Sequence, residues 1–352
     1  MYEKIIKKIL ESVNENSDAQ ELYPEFSQEG YNAVKIDKKN FHRIEKAVQS
    51  KKIAFIDGGN SQIIGSANFS LDLARVCCVV YENKKKVAFK KCDFFIFTNA
   101  VKHDNKICYK ASFFETENSD FLKNSGFSQG IYFNSFDRTL MLGISRADIS
   151  SVANAVRRFA ELRMAKIISE KNDFCDIIVL DGNLQSTLTD ENRYLNEIYE
   201  SCSSNNVILA ALSKTTSLFT NNGNLLSAVL SDISNLSSWH YHPIAEINNP
   251  NHKAEMFFVK FHDKSRHIFR FEIFNLQKSK AEEAINILAG NCIDPIFIGY
   301  PYGLVEADRL ARVTNQEKEY LKTMFLIKLR NGNIEKYLSS ANAHEILDKA
   351  SF

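Results

Sequence analysis

Uninterrupted apolar runs alternate along this chain with stretches whose apolar residues recur every three to four positions. Ile53-Ala54-Phe55-Ile56 and Asp176-Ile177-Ile178-Val179-Leu180 are short, apolar and bounded by turn signals, so both read as buried strands. Gly65–Tyr81 and Val87–Thr98 read as longer strands joined by a turn at Asn83-Lys84-Lys85-Lys86, giving a mostly antiparallel meander. Helical spacing takes over in residues 1–15, where Ile5, Ile6, Ile9, Leu10 and Val13 share a stripe. It returns in Ser150–Glu170, through Val152, Val156, Phe159, Ala160 and Met164. Thr189–Cys202 follows as a helix and Val207–Leu212 as a buried strand. Glu255–Lys260 and His267–Phe274 read as a hairpin, Ser279–Gly290 as a helix ended by glycine, and Pro295–Gly299 as a strand. Helices over Leu304–Val313 and Gln316–Leu329 complete the order, and a short helix is expected near 40–50. Residues 100–145 and 215–255 show no dominant period.

Antiparallel strands, then helix–strand–helix–strand, then a late strand and helix suit an α/β fold. The specific expectation is a ribonuclease-H-like mixed sheet flanked by helices and carrying insertions. Composition changes little in this picture. With 352 residues, 44% hydrophobic and 25% charged, the chain is long enough for a large core. Forty-four basic residues against 43 acidic ones give no global nucleic-acid signature, so contact with nucleic acid would need a local basic surface. Seven scattered cysteines without a CxxC pair suit buried thiols in a reducing cytoplasm. The charged start Met1–Lys8 lacks an apolar signal core, and no uncharged apolar stretch is long enough to span a bilayer. No GxxxxGK[ST], strand-linked GxGxxG or GxSxG is present, so an ATP-driven step would come from a partner.

The candidate chemistry lies where two strand readings stop, at Asp57-Gly58 and Asp181-Gly182. A buried strand holds its last carboxylate rigidly, and the following glycine turns the backbone away. Two such carboxylates on neighbouring strands make a hard-oxygen site for Mg²⁺ or Mn²⁺. Glu161, on the helix carrying Arg157 and Arg158, can reach the same point, although pairing with Arg157 four residues earlier is the plainer reading. Glu306 and Asp308 sit at the start of a helix after Tyr300-Pro301, where acidic residues are favourable in any case. Tyr300 reads equally as a core aromatic, and Lys214 as a solvated lysine. His240 and His242 share a face if extended, but no Cys or acidic residue completes a zinc spacing.

In that order, the Asp-Gly at 57, the Arg/Glu helix at 157–161, the Asp-Gly-x-Leu at 181–184, Ser213-Lys214-Thr215 and the Tyr-Pro…Glu-Ala block at 300–307 resemble the NurA nuclease family. The resemblance runs from about residue 50 to 330. It implies a helical lead-in over 1–50, a nuclease domain over 51–330 and a tail over 331–352. It further implies Mn²⁺- or Mg²⁺-dependent 5′-to-3′ exonuclease and single-strand endonuclease action on DNA in end resection. A two-ion site, a homodimer and a hexameric HerA-type translocase partner belong to the same expectation. Carried over, Asp57, Glu161 and Asp181 are metal ligands and Tyr300 is the active-site tyrosine. Asp308 stands where the family usually has histidine and is assigned to the metal as well. Lys214 and Arg158 are assigned to DNA. The departure at Asp308 keeps open a second reading, a catalytically weakened adaptor that binds DNA and a translocase.

Overall fold

The computed structural model describes residues 2–14, 21–45, 50–116, 121–127 and 129–329. Helix α1 (Tyr2–Asn14) precedes three short strands, β1 (Pro24–Glu25), β2 (Tyr31–Ala33) and β3 (Phe41–Arg43). A long meander follows: β4 (Ile53–Ser66), β5 (Phe69–Glu82), β6 (Lys85–His103) and β7 (Lys106–Glu115). Then come α2 (Phe121–Ser125), β8 (Ile131–Asn134), α3 (Ser151–Ser169), β9 (Ile177–Asp181), α4 (Glu191–Ser204) and β10 (Ile208–Ser213). The remainder comprises β11 (Phe219–Thr220), α5 (Leu226–Ile233), β12 (Trp239–Tyr241), β13 (Ala245–Ile247), β14 (Ala254–Lys260), β15 (Phe269–Phe274), α6 (Ala281–Ala289), α7 (Tyr302–Ala311) and α8 (Asn315–Leu329).

Among the described residues, eleven strands form one sheet in the order β3-β12-β14-β15-β10-β9-β4-β5-β6-β7-β8. Its centre is the expected ribonuclease-H-like arrangement: an antiparallel β4–β5–β6 meander, with β9 parallel to β4 and β10 parallel to β9. Two separate two-stranded ribbons, β1–β11 and β2–β13, lie outside it. Alternation along the central strands divides the core. Ala54, Ile56, Ile178 and Leu180 pack with α3 and α4, whereas Ile53, Phe55, Ile177 and Val179 pack with α6 and α7. This parity decides which functional side chains can meet.

Four expectations are corrected. Strand β4 does not end at Asp57. It leaves β9 after Ile56 but stays paired with β5 as far as Ser66, so the expected short strand and the following run merge into one long hairpin. Pro295–Gly299 is not a strand: Pro295–Phe297 forms a 3₁₀ turn, because the Asp294 carboxylate accepts the Ile296 N–H at 2.8 Å and proline occupies the first position. The helix placed near 40–50 is a strand over Phe41–Arg43, which pairs with β12; residues 46–49 lie outside the described residues. The helix expected from Ser279 opens as a 3₁₀ stretch, Asn275–Lys280, before α6. The two aperiodic regions resolve into β7 and the edge strand β8 and into the β11–β13 insertion around α5.

Candidate metal centre and active site

Asp57 and Asp181 follow the last register pair of β4 and β9, Ile56 and Leu180, by one residue each. Both continue the parity that faces α7, so their carboxylates emerge together on that side of the sheet. The same parity on β10 carries Leu212 and then Lys214. Helix α7 lies across this sheet end and brings Asp308 to the two strand residues. One carboxylate oxygen from each of Asp57, Asp181 and Asp308 falls within 4.8 Å of the others.

The electrostatics are those of a site short of positive charge. Asp57 is only 7% exposed, accepts a hydrogen bond from the Gly58 amide at 2.7 Å, and has no ion-pair partner among the described residues. Burial, then the neighbouring charges of Glu161 and Asp181, push its carboxyl up to about 8. Lys214 Nζ approaches Asp181 at 2.6 Å and Asp308 at 3.3 Å. Burial works against the Lys214 charge, but the contact with Asp181 and the charges of Asp308 and Asp57 outweigh it and raise its pKa. Arg312, one turn beyond Asp308, pairs with it at 3.0 Å. Two oxygens held by strands and one by a helix, with a buried carboxylate that pairs with no Lys or Arg among the described residues, match what a hard divalent cation requires.

Glu161 approaches from the other face of the sheet. It lies on α3, ion-paired with Arg157 and with Arg158 at 3.6 Å, and it is not one of the three mutually close carboxylates. It packs directly against the backbone beside Asp57 because residue 58 has no side chain: a Cβ there would lie 2.7 Å from Glu161 Oε1. Burial raises the pKa of Glu161 against the opposing pull of Arg157 and Arg158. Tyr300 is a core aromatic whose hydroxyl faces the carboxylates. It is fully buried, stacked on Phe297 at 4.9 Å, and directs its hydroxyl at Asp181 Oδ1, 3.5 Å away. Burial and Asp181 hold that phenol well above its ordinary pKa.

Arg158 departs from its expected contact with DNA. Its side chain is 13% exposed and turned inward, donating to Glu191 at 2.8 Å and to the Asn183 carbonyl at 2.7 Å. It therefore braces α3 against the segment just after Asp181. Glu306 leaves the cluster for Tyr81 and Lys86. His242 hydrogen bonds Glu255, and His240 is buried against His42. Two contributors went unnoticed in the sequence. Arg312 is visible as the residue four after Asp308. Glu191, whose other oxygen accepts the Thr187 and Leu188 amides, carries no sequence signal beyond its place at a helix start.

The comparisons bear on this arrangement. A description of the NurA domain matches residues 51–313, about three quarters of the chain. The chain belongs to the NurA family. Among solved structures, the NurA nuclease of Sulfolobus solfataricus aligns over 93% of this chain and 94% of its own, at 14% identity and a TM-score of 0.51. Endonuclease V of Ciona intestinalis, solved with a 24mer DNA containing an inosine followed by a ribo-adenosine, aligns over 91% and 99% at 13% identity and a TM-score of 0.38. The catalytic domain of human endonuclease V aligns over 82% and 92% at 10% identity and a TM-score of 0.37. No curated protein sequence matches the chain. The fold is that of the Sulfolobus NurA nuclease, and membership of the NurA family supports a nuclease. Among the described residues of this NurA chain, no helix is long and apolar enough to cross a membrane.

Proposed function

We propose that this NurA-family chain is a metal-dependent DNA nuclease, with Asp57, Asp181 and Asp308 holding Mn²⁺ or Mg²⁺ and Glu161 positioned for a second ion. The observation that carries this reading is the buried carboxylate of Asp57, without an ion-pair partner among the described residues, beside two further carboxylates at the sheet end under α7. Divalent ions there supply positive charge to a cleaving phosphodiester and acidify the attacking water. The chain's own residues do the rest. Asp57 and Asp181 fix the ligand oxygens on rigid strands. Tyr300 orients Asp181 through its hydroxyl. Lys214 stands beside the carboxylates, where it neutralises them before substrate arrives and can contact a phosphate afterwards. Arg157 and Arg158 hold Glu161 in place.

The finer reading is 5′-to-3′ exonuclease and single-strand endonuclease action in end resection by a cytoplasmic homodimer, with a HerA-type hexameric ATPase feeding the strand. The near-neutral charge and the missing P-loop support a separate motor. The test is digestion of 5′- and 3′-labelled single-stranded DNA with Mn²⁺, Mg²⁺ or EDTA. Metal-dependent cleavage is expected, with the label pattern giving polarity. No cleavage with either metal, alone or with the translocase, would favour the adaptor reading. One observation favours that second reading: Asp308 is already paired with both Lys214 and Arg312.

A further inference from the structure

A cleft of about 810 Å³ adjoins the chain segments that leave β9 and β10 and has no part in the account above. Its inner wall is the chain leaving the two central strands. Asn183 and Gln185 follow Asp181, and Ser213 and Thr215 flank Lys214. The cleft therefore begins within two residues of two groups assigned to the metal and the phosphate. Its outer wall comes from the lead-in and the insertion, through Phe26, Gln28 and Tyr31 on one side and Phe219 on the other. The two small ribbons hold these residues in place: Phe219 pairs with Glu25 in β1–β11, and Tyr31 with Ile247 in β2–β13. Gln185 Nε2 reaches across to Gln28 Oε1 at 2.6 Å.

The lining chemistry selects the ligand. Of the lining residues only Glu25 and Arg270 carry formal charge, and the Arg270 guanidinium is ion-paired with the buried Glu272, donating through Nε at 2.6 Å. What remains is amide and hydroxyl groups with aromatic rings. Phe26 is stacked on Tyr31 at 4.7 Å, and Phe219 is 47% exposed at the rim. Such a surface suits the flat, hydrogen-bonding, uncharged part of a nucleotide better than its phosphate. The outer wall is tied through buried contacts to the segment that follows Asp181. Tyr31 contacts His252 at 2.8 Å, His252 contacts Glu272 at 3.2 Å, and Glu272 accepts the Leu184 amide at 2.7 Å, three residues past Asp181.

We infer that this cleft is a base-binding subsite for unpaired nucleotides of a DNA single strand whose scissile phosphate lies at the acidic centre. The inference rests on the nuclease reading. It assigns a purpose to both ribbons and makes the enzyme one that grips a strand by its bases on one side of the cut.

The test uses the full chain in EDTA, so that binding is read without cleavage. A short oligothymidylate carrying one 5-iodouracil is photo-crosslinked and the adduct mapped by mass spectrometry. Adducts are expected on the peptides bearing Phe26, Tyr31 or Phe219. Phe219→Ala is expected to weaken single-strand affinity roughly 5- to 100-fold, the usual range for losing one base–aromatic stack. Gln28→Ala should weaken it less, and neither should alter duplex affinity or the thermal shift given by Mn²⁺. Adducts elsewhere, or wild-type affinity in both variants, would overturn the subsite. A wild type that crosslinks in the cleft but fails to cut DNA with either Mn²⁺ or Mg²⁺ would sink the nuclease reading and leave the subsite standing. A wild type that cuts but crosslinks elsewhere would do the reverse.

Discussion

The same dipeptide does two different jobs in this molecule. At Asp181-Gly182 the strand ends, the glycine takes φ +111°, and a Cβ there would meet nothing within 4 Å. That glycine is needed for its backbone angle. At Asp57-Gly58-Gly59 the strand continues in extended form, and both glycines are needed for space. A Cβ at 58 would press on Glu161 and Arg157, and one at 59 would sit on the carbonyl oxygen of Ala311, at the end of the helix carrying Asp308. One segment exposes a carboxylate by turning the chain away. The other lets α3 and α7 close in from opposite faces of the sheet. Identical letters thus converge on one centre through a conformational cause and a steric cause.

The largest effects are expected from the carboxylates common to both segments. Asp57→Asn and Asp181→Asn should each lower metal-dependent cleavage on the order of a thousandfold with the fold intact, since a metal ion contributes several kcal/mol to such a transition state. Steady-state cleavage of labelled DNA with circular dichroism on the same samples checks this. Near wild-type rates in either variant would remove that residue from the centre.

The glycine exchange separates the two causes. Gly59→Ala forces the end of α7 outward, so cleavage should fall about tenfold or more while stability drops by roughly 1–3 kcal/mol, as for an overpacked site. Gly182→Ala should cost about 1–2 kcal/mol through backbone strain alone. Asn at 182 tolerates positive φ better than Ala and should recover part of that loss, whereas Asn at 59 should not. Urea unfolding of the four variants, read with their cleavage rates, tests the contrast. Equal behaviour at the two sites would erase it.

The charge balance around Asp57 sets a pH dependence. A carboxyl raised to about 8 in the folded state, against an ordinary value near 4, favours the folded chain when protonated. Metal-free stability should therefore fall as pH rises from about 4 to 8. Stabilisation by Mn²⁺ should grow over the same window as the metal displaces the proton. Melting temperatures in EDTA and in Mn²⁺ across that range check both slopes, and Asp57→Asn should flatten them. A metal-free stability that is level or rises across the window would contradict the account.

The smallest effect is expected at Asp308→His. This restores the residue usual in the family and should keep cleavage within about tenfold, because imidazole also ligates Mn²⁺. Complete loss with an intact fold would show that the Asp308 pairs with Lys214 and Arg312 matter more than ligation.

Much of the site is legible in one sequence because it hangs on strands. Parity fixes that Asp57, Asp181 and Lys214 face one way, and an apolar run of four residues is enough to declare each strand. The helix carrying Glu161 was equally readable from its period. What the sequence hides is which neighbour a side chain finds. Arg158 has the look of a phosphate contact, yet it faces Glu191, over thirty residues away. Gly58 and Gly59 have the look of a turn, because tolerance of close packing and tolerance of unusual φ leave the same letter. The 3₁₀ turn at Pro295 replaces an expected strand because local capping by Asp294 outweighs the apolar character of Ile296-Phe297-Ile298.

Mn²⁺ titration followed by electron paramagnetic resonance reads whether Asp57, Asp181 and Asp308 together hold a cation. The wild type is expected to remove free Mn²⁺ stoichiometrically, and Asp57→Asn and Asp181→Asn are expected to lose that binding while remaining folded. Wild-type Mn²⁺ uptake by both variants would place the metal elsewhere and contradict the account.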